Sequence, residues 1–406
     1  MTEWSYEDWR PGGERAEFGE IALDSRLHCG NGHDFAQIAP GHFRFRARTG
    51  LAPYAWRFLL AVESPGDGRE IILEVADFNH EGRTPWHESA TVYSTDDGET
   101  WLPFPTERLE IVAWTPTGHE EIDRAFGDAS HVPYGVRYHL RLDAPRTLFA
   151  SPTPFTLDHR DDLLRRMERE HPGSVARAIV SRSAHSDATG YPVTMARITA
   201  PGAWARRDRV FVIAGEHAAE TAGMYACEGF MREVLTRGDW LEQFAFFFVP
   251  VFNVDGVFFG RTYFNVPPGI TDGPGVNLSA TWHERPAPEQ QDLWRFLVEL
   301  RPRLLVSLHN GRHRDRMDQF CDPGPGTDAI NEALRRHLGF ELVDAGPPKT
   351  PARLPREAMD RRVAEHGFLT ETLLLERLPG SATFRDSYVE VGRQLARGYV
   401  EGLSAL

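Results

Sequence analysis

A chain of 406 residues exceeds the length at which one hydrophobic core usually stops growing, so two domains are expected. Its 45 basic and 59 acidic residues give a formal net charge of -14, which argues against a nucleic-acid surface and disfavours a polyanionic partner. No apolar run approaches the length of a membrane span, and no basic segment leading into an apolar stretch marks a secretory signal. Cys29, Cys227 and Cys321 are far apart and form no Cys-x-x-Cys pair. Neither a disulfide framework nor a cysteine-zinc site is expected, and a reducing cytoplasm is the simplest compartment.

Residues 1–152 read as an antiparallel β-sandwich domain. HFRFRA (42–47) alternates, and RFLLAV (57–62), IILEV (71–75) and YHLRL (138–142) are further strand-like runs. Asp97-Gly98 between two such runs signals a tight turn. No long amphipathic helix falls among them, and Trp56, Trp86 and Trp101 read as core or interdomain contacts rather than a ligand cage. The prolines of Ser151-Pro152-Thr153-Pro154 mark a linker, and the pattern changes after it. Thr156 or Asp158 caps a helix running to His171-Pro172-Gly173. Strand-like runs at 175–180, 193–198, 209–214, 244–251, 303–308 and 368–375 then alternate with helical stretches at 219–236, 288–300, 327–338 and 386–403. Continuous apolar strands between helices predict an α/β domain over 153–406, its sheet covered on both faces and its site at strand ends.

VFVIAGEHAAETAG joins a buried strand to a helix. His217 and Glu220, three positions apart, share a face on one helical turn, and imidazole and carboxylate are both good zinc ligands. RLLVSLHNG (303–311) runs a second buried strand into His309, which suits the third ligand of a catalytic zinc that keeps one position open. PVFNVDGV (250–257) follows a very apolar strand, with Asn253 and Asp255-Gly256 predicted to form a tight turn. Met224, Tyr225, Cys227, Phe230 and Met231 read as the packing face of the helix after Glu220.

In this order, GEHAAE, PVFNVDGV, GVNLSATW (275–282) and SLHNG resemble the zinc carboxypeptidases of the carboxypeptidase A type. STDDGETW and LFASPTPFTLDHRDDLLRRM are similar to the N-terminal domain and domain boundary of the cytosolic carboxypeptidase subfamily. The resemblance implies an α/β/α sandwich with a mixed, mainly parallel sheet, and one zinc per chain held by His217, Glu220 and His309. It also implies a glutamate that takes a proton from the attacking water and passes it to the leaving amine. HGFLTETLLLERLPG holds two candidates: Glu371, favoured by the threonine before it, and Glu376 at the apparent strand end.

Members of that family carry Asn-Arg after the Asp-Leu or Asn-Leu pair, to bind a substrate's free carboxylate. Here Asn277-Leu278 is followed by Ser279-Ala280, which cannot form a bidentate guanidinium–carboxylate contact. In GVFFGRTYFN the one arginine, Arg261, is the candidate oxyanion stabiliser, with Tyr263 where that arginine is expected. Asn277, Ser279, Tyr263 and Arg312 are the candidate substrate contacts, Arg312 opening a basic group with His313, Arg314 and Arg316. The expected activity is hydrolysis of an amide or peptide bond in a peptide or a small N-acyl substrate, with altered docking. A non-catalytic metal- or ligand-binding module on the same fold and a cytosolic deglutamylase are the alternatives.

Overall fold

In a computed structural model, the described residues are 13–47, 57–78, 91–112, 134–183, 191–202, 208–261, 265, 275–279, 281–282, 284–311, 316–321, 325–346, 368–375 and 384–406. By their contacts they fall into two units. One is Met1–Pro154 with Phe258–Thr262 and Ile270–Pro274; the other is Phe155–Val257 with Tyr263–Gly269 and Gly275–Leu406.

The first unit is built from strands β1 (Arg15–Phe18), β2 (Ile21–Asp24), β3 (Gly32–Ala39), β4 (His42–Ala47), β5 (Phe58–Glu63), β6 (Arg69–Phe78), β7 (Val92–Ser94), β8 (Leu102–Pro103), β9 (Leu109–Val112), β10 (Tyr134–Leu142) and β11 (Arg146–Ser151). They form two sheets, of order β1-β2-β5-β11-β7-β8 and β3-β4-β6-β10-β9. The first sheet is antiparallel throughout, whereas β4 and β6 in the second run parallel, a departure from the antiparallel expectation. Alternation sends Phe45 and Tyr138 inward from one sheet and Phe58 and Phe149 from the other, with Phe45–Phe58 at 5.4 Å and Tyr138–Phe149 at 4.7 Å between ring centroids. Each such ring is worth roughly 1.5–3 kcal/mol on burial. Glu74 of β6 is buried, with Arg44 and Arg137 directly opposite it on the two flanking strands. Burial raises its carboxyl, but the hydrogen bonds from Arg137 and Arg44 outweigh this and hold it below its ordinary value.

The second unit opens with helix α1 (Leu157–Glu170). Thr156, the first of its two candidate caps, accepts from His159 N–H at 3.0 Å. Then come β12 (Val175–Arg182), β13 (Pro192–Ile198), β14 (Asp208–Ala214), α2 (Thr221–Leu235), α3 (Gly238–Gln243), β15 (Phe244–Val249), α4 (Val254–Phe258), α5 (Pro288–Leu300), β16 (Leu304–Gly311), β17 (Arg316–Cys321), α6 (Pro325–His337), β18 (Glu341–Gly346), β19 (Phe368–Leu375) and α7 (Phe384–Ser404). One sheet takes the order β12-β13-β15-β14-β16-β19-β17-β18. Its centre, β15-β14-β16-β19, is parallel, as is β17-β18, and the remaining pairs are antiparallel. This is the mixed α/β sheet expected.

Period-two alternation along β15 explains why helices cover both faces. Phe246 and Phe248 lie against Phe230 of α2, while Phe247 and Phe211 lie against Phe296 of α5. The Met224, Tyr225, Cys227, Phe230 and Met231 face of α2 is buried as expected. No helix among the described residues is long and apolar enough to cross a membrane.

Candidate metal centre

β14 and β16 are parallel neighbours with Ala214 opposite Leu308, so the segments leaving their carboxyl ends emerge side by side. The chain leaves β14 through Gly215, whose φ is 66° and whose added Cβ would lie 2.8 Å from Met224 Cε. A turn follows, in which Glu220 N–H donates to His217 O at 3.2 Å. The helix begins only at Thr221, with Glu220 at its N-cap position, φ -82° and ψ 62°. The expectation that His217 and Glu220 share a helical turn is therefore corrected. A tight turn brings residues i and i+3 together as a helix would.

His309 lies near the end of β16. A Cβ added to Gly223 of α2 would meet Leu308 O at 2.5 Å, so the helix rests directly on the strand one residue before His309. The two histidines then face the same carboxylate. His217 Nδ1 is 2.9 Å from Glu220 Oε1, and His309 Nδ1 is 2.8 Å from Glu220 Oε2. Ligand atoms of the three residues lie within 4.8 Å of one another, Glu220 and His309 are buried, and His217 is partly exposed. Burial pushes the Glu220 carboxyl up, but the charges and hydrogen bonds of His217 and His309 outweigh it and lower it to about 2. Two imidazoles and an ionised carboxylate, with one ligand facing outward, match the donor set of a three-ligand zinc site.

Both outer imidazole nitrogens are also engaged. His217 Nε2 lies 3.2 Å from Asn277 Oδ1, which also accepts from Ser279 N–H at 3.1 Å. A backbone N–H can only donate, so this atom is the amide oxygen and His217 Nε2 is the donor. His309 Nε2 lies 2.9 Å from Ser307 Oγ and 3.3 Å from Glu216 Oε2. Ser307 Oγ donates to Glu216 Oε2, and Trp282 Nε1 donates to Glu216 Oε1 at 2.7 Å. With each Nε2 donating to these acceptors, Nδ1 is the nitrogen that would bind a metal ion, giving up its proton to do so.

PVFNVDGV forms a helical turn rather than the predicted tight turn. Asn253 Oδ1 accepts from Gly256 N–H at 2.9 Å and so caps α4, while Asn253 Nδ2 donates to Glu216 O at 3.3 Å. An asparagine before an open run of backbone N–H groups favours the cap over an isolated turn. Arg261 is buried and groups with the first unit, and Ser279 is buried in the second. Glu371 lies in β19, its backbone in register with Ser307 on one side and Phe320 on the other. Tyr263, Ala280, Arg312, His313, Arg314 and Glu376 lie outside the described residues. Sequence reasoning passed over Glu216, Trp282 and Ser307. The available signals were a carboxylate inside the apolar stretch around His217, and a serine two positions before His309, on the same strand face.

The family model for zinc carboxypeptidases matches residues 161–310. The chain is a hydrolase of the zinc metallopeptidase type, and its likeness to a zinc carboxypeptidase domain covers those residues. Among solved structures it is similar to a metallo-carboxypeptidase from Burkholderia cenocepacia, with a TM-score of 0.72, 14% identity, and coverage of 95% of this chain and 99% of that one. It is also similar to a metallo-carboxypeptidase from Pseudomonas aeruginosa in complex with (2-guanidinoethylmercapto)succinic acid, with a TM-score of 0.68, 18% identity, and coverage of 94% and 99%. At these identities the likeness is one of fold, and it extends over both units. No curated protein matches the sequence.

Proposed function

We propose that this chain hydrolyses an amide or peptide bond at a single zinc ion held by His217, Glu220 and His309. The observation that carries the reading is the convergence of two Nδ1 atoms on one buried carboxylate, with both outer nitrogens already committed. Bound zinc would supply a Lewis acid that polarises the carbonyl and acidifies water. Glu220 and the imidazoles fix its place, and Asn277 fixes the tautomer of His217.

One of Glu371 and Glu376 moves the proton from water to the leaving amine. The strand register supports Glu376. Leu375 of β19 is in register with Gly311, two positions beyond His309, and Glu376 follows it in the sequence. Sites of open α/β sheets lie beyond the carboxyl ends of their strands. Glu371 instead has a backbone flanked by strands on both sides.

Docking departs from that of an ordinary carboxypeptidase. Ser279 directs its N–H to Asn277 Oδ1 and is buried, so this loop braces the His217 support and offers no guanidinium at that position. The substrate class this supports is a modified peptide or a small N-acyl compound lacking a free α-carboxylate at the usual place, with Asn277, Ser279, Tyr263 and Arg312 as its contacts.

Elemental analysis of the chelator-free protein at neutral pH tests the metal. One zinc per chain, lost in His217→Ala, is expected, and a zinc-free wild type would overturn the reading. A panel of acyl amides, C-terminally blocked peptides and peptides with free C-termini tests the docking. Turnover confined to free C-termini would overturn the altered specificity.

A further inference from the structure

We propose that Glu216 is a positioning residue for the metal centre, acting through His309. The inference rests on the zinc reading above and goes beyond it by assigning an anionic partner to one of the two imidazoles. Glu216, Ser307, His309 and Trp282 are all buried. Trp282 Nε1 holds one carboxylate oxygen at 2.7 Å, and its ring stacks on Phe252 with centroids 5.4 Å apart and planes at 11°. The other oxygen accepts from Ser307 Oγ and faces His309 Nε2 at 3.3 Å. The serine is a relay: its hydroxyl hydrogen points to Glu216, and its lone pair accepts from His309 Nε2–H.

A buried carboxylate held only by neutral donors is a costly group. Trp282 and Ser307 donate to different oxygens of Glu216, a pair of acceptors that a glutamine, with one oxygen and one NH2, does not offer. A charge is called for by what lies beyond His309. A divalent ion held by Glu220 alone carries an excess positive charge, and Glu216 supplies the second negative charge at one imidazole's remove. The carboxylate makes His309 Nδ1 a stronger donor and locks the proton on Nε2. The support is therefore asymmetric: His217 rests on the neutral amide of Asn277, and His309 on an ionised Glu216.

Zinc affinity of the full chain, measured by competition with a chromophoric chelator at neutral pH, tests the proposal together with the thermal stability of the metal-free protein. Glu216→Gln is expected to weaken zinc binding by about 10- to 100-fold, while the metal-free protein melts near the wild type. The visible band of the cobalt-substituted variant is expected to shift. Affinity equal to that of the wild type would overturn the role of Glu216. So would a loss of affinity matched by unfolding of the metal-free variant together with an unaltered affinity in Ser307→Ala, which keeps the carboxylate but removes the relay to His309. A wild type that binds no zinc would instead overturn the underlying metal reading.

Discussion

Asn277 Oδ1 lies 3.2 Å from His217 Nε2 and takes a second hydrogen bond from Ser279 N–H. The amide therefore serves as a fixed acceptor that selects the Nε2–H tautomer of the outermost proposed ligand. Asn277→Leu removes the acceptor and keeps the bulk. It is expected to weaken zinc binding by about 10-fold, the usual scale for losing the hydrogen-bond partner of a metal-bound histidine. Asn277→Asp keeps the acceptor and adds charge, and is expected to bind zinc at least as tightly as the wild type. Chelator competition on the two variants checks both, and an unaltered affinity in Asn277→Leu contradicts the assignment.

The general base separates from the metal site by kinetics. Glu376→Gln is expected to lower kcat by about 100- to 10,000-fold with zinc content intact, the range for loss of a positioned acid–base group. Glu371→Gln is expected to keep most of its activity. The reverse ranking, measured on whichever amide the wild type turns over, would place the proton transfer inside the sheet and remove the argument from the end of β19.

The α/β alternation was legible because each central strand is a continuous apolar run and each long helix has a matching stripe. Strands β17 and β18 were not anticipated, since RMDQFC and ELVDAG mix polar and apolar residues and form no continuous apolar run. The meeting of His217, Glu220 and His309 was legible from residue type and strand-end position. Its local geometry was not, because the spacing of His217 and Glu220 fits a helix and a tight turn alike. Glu216 stayed hidden for a different reason: its partners Trp282 and Ser307 come from segments 66 and 91 residues away, and no local pattern encodes that meeting.

Glu228 of α2 gives the second unit a pH dependence of known sign. Burial raises its carboxyl, but the hydrogen bond and charge of His159 and the charges of Arg385 and Arg232 outweigh that and lower it from 4.5 to about 2. The unfolded chain therefore binds this proton more readily than the folded one. The stabilisation is present above about pH 4.5 and is lost as pH falls towards 2. Its size is on the order of 3 kcal/mol. Denaturant titrations of wild type and Glu228→Gln at pH 6 and pH 3 are expected to differ strongly at the first and much less at the second. An equal gap at both would show that the carboxylate charge is not what matters.

Gly223 marks where packing and site meet. An added Cβ would lie 2.5 Å from Leu308 O, a backbone atom that cannot swing aside as a side chain can. Gly223→Ala gains helix propensity but must push α2 off β16. Overpacking of this kind costs about 1–3 kcal/mol, which outweighs the gain of up to about 1 kcal/mol from replacing a helical glycine. Because Leu308 precedes His309 and α2 starts beside Glu220, the push separates the ligands that the turn brings together. The variant is expected to be less stable by denaturant titration and also to bind zinc more weakly. A purely structural contact would lower stability and leave affinity alone. Measuring both on one preparation tells whether the helix seat also sets the spacing of the centre.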